Sequence, residues 1–240
     1  MGMPPCSHRL LLTSFATDAR VVLGRMGAID AVLNAMQVFG ASSIGVAHFS
    51  IRVLGNLAFS CSDNRAVIAV KAVDFILVAM STYLDNSELQ KDACTTLTNV
   101  AHDNDTAKRS IAAKGGVDSI LSSMERYLGD IKVQKAACWA ILTVAADATA
   151  GKRAAADGAV GALLAAMVNF EDEEEIQYYS LWGLSNLAQG SDALSKFVVD
   201  NGACGIAQTA VINFPDHQGV REKAQELLQR VDAFIPKVEL

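Results

Sequence analysis

Residues Gln177–Gly190 read QYYSLWGLSNLAQG. Leu181, Leu184, Leu187 and Ala188 recur at the spacing of one apolar face of an α-helix, so the stretch predicts an amphipathic helix. Gly190 stands where a helix C-cap is expected and is read as its stop. Trp182 and Asn186 are four residues apart, which places them one turn apart on a single face.

Related stretches occur along the whole chain. SIRVLGNLA begins at Ser50, ACTTLTNVA at Ala93, ACWAILTVA at Ala137, SLWGLSNLA at Ser180 and AQELLQRVD at Ala224; the starts differ by 43, 44, 43 and 44 residues. A second series precedes them: GAIDAVLNAM from Gly27, KAVDFILVAM from Lys71, GGVDSILSSM from Gly115, GAVGALLAAM from Gly158 and GACGIAQTAV from Gly202, spaced by 44, 44, 43 and 44. Met36, Met80, Met124 and Met167 close the first four of these. Before each lies a short run with a basic residue and an apolar segment: ARVVLGRM, NRAVIAVK, KRSIAAKG, KRAAAD and KFVVDN. Two independent series with one period predict a repeat of a short helix, a bend at small residues, a second helix and a long third helix. One such unit has too few neighbours to bury its apolar face, whereas stacked units share a continuous core. Ser50, Ala93, Ala137, Ser180 and Ala224 form a small-residue column for close approach. Leu54, Leu97, Ile141, Leu184 and Leu228 form a core column, as do Leu57, Val100, Val144, Leu187 and Val231.

Composition agrees. The 240 residues are 51% hydrophobic and 19% charged with 4 Pro, which supports a large core and excludes a disordered chain. The net charge of −6 and the lack of a Lys/Arg-rich run disfavour nucleic acid. No charge-free apolar run reaches 18 residues, so no membrane span is expected. MGMPPCSHRL lacks the apolar core of a signal peptide. Gly2 invites an N-myristoylation reading, but the pattern wants Ser or Thr where Cys6 stands. Cys6, Cys61, Cys94, Cys138 and Cys204 are odd in number and contain no CxxC, which argues for a reducing compartment.

The period of 42–44, the GA-φ-x-x-φ-φ segment and the W-x-x-x-N-L-A long helix resemble the armadillo repeat, with HEAT repeats as the near neighbour. The full signature stands once, at Trp182, Asn186, Leu187 and Ala188; partial copies stand at Asn56-Leu57-Ala58, Asn99-Val100-Ala101 and Trp139. The resemblance covers residues 9–235. It implies an all-α, right-handed α-α superhelix with four full repeats and partial repeats at both ends, flanked by an N-terminal segment 1–8 outside the fold and a tail 236–240. It further implies a concave groove lined by the long helices, in which Asn side chains bond the backbone of an extended peptide and Trp rings flank its side chains. Carried onto this sequence, the partner-binding residues are the pairs Arg52/Asn56, Thr95/Asn99, Trp139/Thr143 and Trp182/Asn186, with Tyr178 and Tyr179 beside them. Arg52 and Thr95 replace Trp, and Thr143 replaces Asn, so the ladder is uneven and densest at Trp139 and Trp182. An import adaptor of the importin-α type carries a denser ladder and a basic N-terminal segment, and Lys91 and Lys135 put positive charge near this groove.

No phosphate-binding loop, HExxH, GxSxG or zinc-spaced Cys/His cluster occurs. His102 beside Asp103 and Asp105 is read as a solvated turn, the Met column as core filler, and Cys94 and Cys138 as buried inert thiols. The expected function is a non-enzymatic scaffold or adaptor, cytoplasmic, with no cofactor or metal, binding a protein or extended peptide. The alternatives are a structural subunit of a large assembly, for example cytoskeletal or ciliary, docking by its repeat edge around Leu10, Leu11 and Leu12, and a nuclear-import adaptor. The acidic run Glu171–Glu175 is expected in the loop before the Gln177 helix, solvating it.

Overall fold

The computed structural model describes residues 19–236. Leu10, Leu11, Leu12, Gly2 and Cys6 lie outside them. The described chain is an all-α solenoid of three-helix units. The first unit is α1 (Ala19–Arg25), α2 (Ala28–Phe39) and α3 (Ile44–Ala58). The second is α4 (Ser62–Lys71), α5 (Val73–Thr82) and α6 (Ser87–Ala101), and the third α7 (Asp105–Ala113), α8 (Gly116–Arg126) and α9 (Ile131–Val144). The fourth is α10 (Ala148–Ala156), α11 (Ala159–Asn169) and α12 (Glu174–Ala188), and the fifth α13 (Asp192–Asp200), α14 (Ala203–Asn213) and α15 (Gln218–Val231). No single described helix is long and apolar enough to cross a membrane.

The bend between the first and second helix of a unit has a local cause. Gly27, Gly115, Gly158 and Gly202 adopt φ of 85°, 80°, 107° and 85°, a conformation that a Cβ disfavours. The second unit has Lys71-Ala72 there instead; Ala72 keeps φ −110°, and α4 and α5 are separated by that residue alone. The helix starts are capped by side chains that accept an otherwise unpaired backbone N–H. Ser43, Asn86, Asn104, Asp130, Asp147 and Ser191 do so, and His217 serves α15 through Nδ1.

The long helix of the quoted stretch runs from Glu174 to Ala188, three residues earlier than its apolar pattern announces. Glu174 and Glu175 therefore belong to its first turn, where carboxylates are favoured by the helix dipole. Its C-cap is Gln189, and Gly190 is not left-handed, so the helix ends without the glycine motif expected of Gly190.

The long helices pack in chain order: α3 on α6, α6 on α9, α9 on α12 and α12 on α15. The small-residue column Ser50, Ala93, Ala137, Ser180 and Ala224 is buried throughout. Leu54, Leu97, Ile141 and Leu184 are fully buried, as are Val100, Val144, Leu187 and Val231, with Leu57 nearly so. Leu228 departs from its column: on α15, the last long helix, it is half-buried and Leu227 is the buried residue. Met36, Met80, Met124 and Met167 are core residues.

Each inner unit also carries a polar clamp. Gln90, Gln134 and Gln177 are buried near the start of the long helix. Each donates both amide hydrogens to carbonyls at the end of the second helix: Met80 and Tyr83, Met124 and Tyr127, Met167 and Phe170. The Tyr83, Tyr127 and Phe170 carbonyls also accept a backbone N–H, from Asn86, Asp130 and Glu173, so the clamp adds a second donor there and supplies one to the Met carbonyls near the helix end. Two tyrosines join successive units: Tyr83 Oη donates to Gly40 O at 2.8 Å and Tyr127 Oη to Leu84 O at 3.0 Å.

Candidate functional site

Because the long helices share one register, the residues expected to bind a partner fall into columns on their outward face. One column is Arg52, Thr95, Trp139 and Trp182; a turn further on lie Asn56, Asn99, Thr143 and Asn186. The columns exist, but their members do different things.

Asn99 Nδ2 donates to Gly55 O at 3.2 Å, and Asn186 Nδ2 to Leu142 O at 2.9 Å. Each asparagine thus braces the preceding long helix, and one of its two N–H donors is already engaged. What remains outward is the other N–H and the carbonyl oxygen. Asn56 is exposed, and the residue 44 positions before it lies outside the described chain. Thr95 and Thr143 bond within their own helices, to Lys91 O and Trp139 O, and Thr143 is buried. These two hydroxyls are turned to the helix backbone and offer no donor to a ligand.

The aromatic residues do come together. The Trp139 ring stacks on Tyr179, with centroids 5.9 Å apart and planes at 14°. Tyr179 meets Tyr178 at 5.7 Å, and Tyr178 meets Trp182 at 5.8 Å. A continuous row, Trp139–Tyr179–Tyr178–Trp182, therefore crosses from α9 to α12. Its two ends differ. Trp139 is 37% exposed. Trp182 is half-buried and its face is covered, since Lys223 Nζ sits 4.4 Å from the ring centroid. Tyr178 is covered by the first turn of α15: a Cβ on Gly219 would lie 2.9 Å from Tyr178 Cε2, and the His217 ring is 6.1 Å away. Burial pushes the Tyr179 hydroxyl above its ordinary pKa, with Glu175 adding to the effect.

Charges on this face are mostly paired. Asp92 receives His48 Nε2 at 2.7 Å, Lys91 at 3.3 Å and Arg52 at 3.6 Å. Lys91 also pairs with Glu88, and Lys135 with Glu175, which raises the pKa of Lys135. Glu226 pairs with Lys223 at 2.7 Å and Arg230 at 3.4 Å, and accepts a hydrogen bond from the Ser185 hydroxyl. The Lys223 hydrogen bond holds the Glu226 carboxyl below its usual range. The positive charge that Lys91 and Lys135 bring to the face is thus met by carboxylates of the same face. Sequence reasoning missed Lys223, His217 and Glu226; for Lys223 and Glu226 the available signal was their position 44 residues beyond Tyr179 and Trp182 in the same columns, whereas His217 falls outside the Tyr178 column.

A hollow of about 220 Å³ opens beside the exposed end of the aromatic row, between Phe59, Ser60, Arg65, Asn99, His102 and Trp139. His102 Nε2 and Asp103 Oδ2 are 3.3 Å apart and both well exposed, a surface turn in which Asp103 takes φ 48°. Cys94 and Cys138 are fully buried, and burial pushes both thiols up to about 12. No group of three His, Cys, Asp or Glu side chains suited to a metal ion occurs among the described residues.

No protein-family model matches this sequence, and no curated protein matches it. Among solved structures, the chain is similar to engineered proteins determined by the Northeast Structural Genomics Consortium. One superposes with a TM-score of 0.80 at 23% identity, over 91% of this chain and 85% of that one. A second gives 0.80 at 23% identity over 90% of this chain and 50% of its own length, and a third 0.57 at 20% over 84% and 98%. These likenesses are of fold.

Proposed function

We propose that this chain is a non-enzymatic, armadillo-type interaction scaffold that takes an extended segment of a partner protein across the outward face of α6, α9 and α12. The observation that carries the reading is the row Trp139–Tyr179–Tyr178–Trp182 at a solvent-facing seam. Aromatic residues with an apolar body are the groups on which binding energy concentrates. Trp139 is its accessible anchor, and Asn99 and Asn186 each keep one N–H and one carbonyl oxygen for a peptide group. The site of action is cytoplasmic in this reading. The test is affinity purification with mass spectrometry, comparing wild type with Trp139→Ala. Loss of a reproducible protein partner with an unchanged melting temperature supports the reading; an identical partner set refutes it.

A second reading is docking of a structural subunit by the repeat edge. It is favoured by exposed apolar side chains gathered in the first two units: Val22, Leu23, Met26, Phe49, Val53, Val67 and Val70. Under it, Met26→Glu with Val70→Glu releases the chain from its assembly while Trp139→Ala does not. Import-adaptor activity is disfavoured, because a ligand lysine aimed at Trp182 meets a ring face already occupied by Lys223. Measurable affinity for a Lys/Arg-rich peptide would restore it.

A further inference from the structure

The cations bordering the groove differ in whether a carboxylate meets them. Lys91, Arg52, Lys135, Lys223 and Arg230 each have a carboxylate within 4 Å. Arg65, at the rim of the hollow beside Trp139, has none among the described residues. Its one hydrogen bond runs from a terminal guanidinium nitrogen to His102 O at 2.8 Å. Arg65 is nonetheless half-buried, so its charge is partly desolvated without compensation. A second guanidinium, Arg20, lies 5.2 Å over the ring of Phe59, another wall of the hollow. His102 lies 3.3 Å from the Asp103 carboxylate, at the edge of the same corner. Two guanidinium groups, Arg65 and Arg20, thus stand at this corner of a protein whose net charge is −6.

We propose that the hollow between Phe59, Arg65, Asn99 and Trp139 is the specificity subsite of the groove, and that it takes a side-chain carboxylate from an acidic extended segment. The proposal deepens the groove reading above and rests on it. The chemistry is complementary at each wall. The planar guanidinium of Arg65 presents paired donors that match a carboxylate. Asn99 keeps a second N–H beyond the one given to Gly55 O. Phe59 and Trp139 supply apolar walls for the aliphatic stem, or for a neighbouring apolar residue. The volume of about 220 Å³ holds one side chain. A lysine or arginine of a ligand would instead meet the like charge of Arg65. The face is therefore selective in two places against basic ligands: Trp182 is filled by Lys223, and the open subsite is cationic.

The test uses the full chain to select from a displayed library of random linear peptides, followed by anisotropy titration of the best sequence and its Glu→Gln and Glu→Lys counterparts. The expected result is enrichment of Asp or Glu beside an aliphatic or aromatic residue. The counterparts should bind at least about tenfold more weakly. Arg65→Gln should reduce that preference to less than about twofold, and Arg65→Lys should retain most of it. Should Arg65→Gln fold poorly, the charge preference of wild type still decides the matter. Enrichment of Lys or Arg, equal binding of the three peptides, or a preference that survives Arg65→Gln overturns this subsite while leaving the groove standing. So does a single-stranded oligonucleotide that competes better than the acidic peptide. Failure to enrich any peptide, or enrichment indifferent to Trp139→Ala, removes the groove and the subsite together.

Discussion

Lys223 stands over the ring of Trp182, its ammonium 4.4 Å from the centroid, and is held there by Glu226 at 2.7 Å. The only complete Trp–Asn signature in the chain is thus occupied by the protein itself, and the ring most suited to a cation already has one. Replacing Lys223 with Met removes the charge and keeps a stem. The expected cost is about 0.5–1 kcal/mol of stability, the scale of a partly exposed cation–π contact. In a Trp139→Phe background, where Trp182 is the sole tryptophan, acrylamide quenching should rise on Lys223→Met. Unchanged quenching would mean that Lys223 does not shield the ring in solution.

The same cluster sets an acid-side limb in stability. Glu226 has its carboxyl lowered from an ordinary value of 4.5, chiefly by the Lys223 hydrogen bond and against desolvation. A depressed folded value means that its contribution is present above the unfolded pKa and is lost as pH falls through the folded one. Urea midpoints should therefore fall on acidification below about pH 4.5, and Glu226→Gln should flatten that part of the profile. Glu88, lowered by Lys91, contributes a limb of the same sign that Glu226→Gln leaves in place.

The asparagine column supports the stack itself. Asn186→Ala and Asn99→Ala each remove a bond between successive long helices, at a cost of about 1 kcal/mol apiece. Thermal and urea midpoints report it. Loss of partner binding at unchanged stability would instead assign these side chains wholly to the ligand.

Larger losses are expected from the glutamine clamps. Gln134→Leu leaves the Met124 carbonyl without its side-chain donor inside the fold, worth about 1–3 kcal/mol, and takes from Tyr127 O one of its two donors, the other being Asp130 N–H. Gln134→Glu keeps the shape but puts a carboxylate against two carbonyl oxygens, so it should be at least as damaging. A variant melting within a degree or so of wild type would contradict the clamp.

Cys94 and Cys138 should resist alkylation in the native protein. With thiols near 12, on the order of one in ten thousand is thiolate at pH 8, and both are sealed in the core. Peptide mapping after iodoacetamide should find them unmodified until urea is added, while the half-buried Cys204 reacts earlier.

The fold was legible because burial repeats. A period of 43 or 44 with Leu, Val and Ala in fixed columns marks the faces that touch, and those columns are buried where the pattern puts them except at Leu228 on the last long helix. Hydrogen-bond direction is not written that way. Gln90, Gln134 and Gln177 recur at the same period, yet nothing in a glutamine says that it turns back to the preceding helix. Asn186 has the same composition whether it faces a ligand or Leu142 O. The cover on Trp182 was hidden for a related reason: Lys223 occupies the column of Tyr179 one unit later, and its reach back across the seam depends on helix spacing. The bends at small residues were legible, though not the left-handed backbone of their glycines, and Gly190 misled because a glycine after an apolar run resembles a C-cap whether or not its φ is positive.

No hydrogen bond or ion pair among the described residues joins positions more than 45 apart, so each unit is tied to its immediate neighbours and to nothing beyond them. Mechanically, this is a leaf spring. Small rotations at each of the Gly55–Asn99, Leu142–Asn186 and Ser185–Arg230 joints add along the stack, and no strut links the first long helix to the last. A segment gripped at Trp139 and at Asn99 would stiffen two joints and leave the remaining leaves to flex, so the curvature offered at either end is set by what is held in the middle.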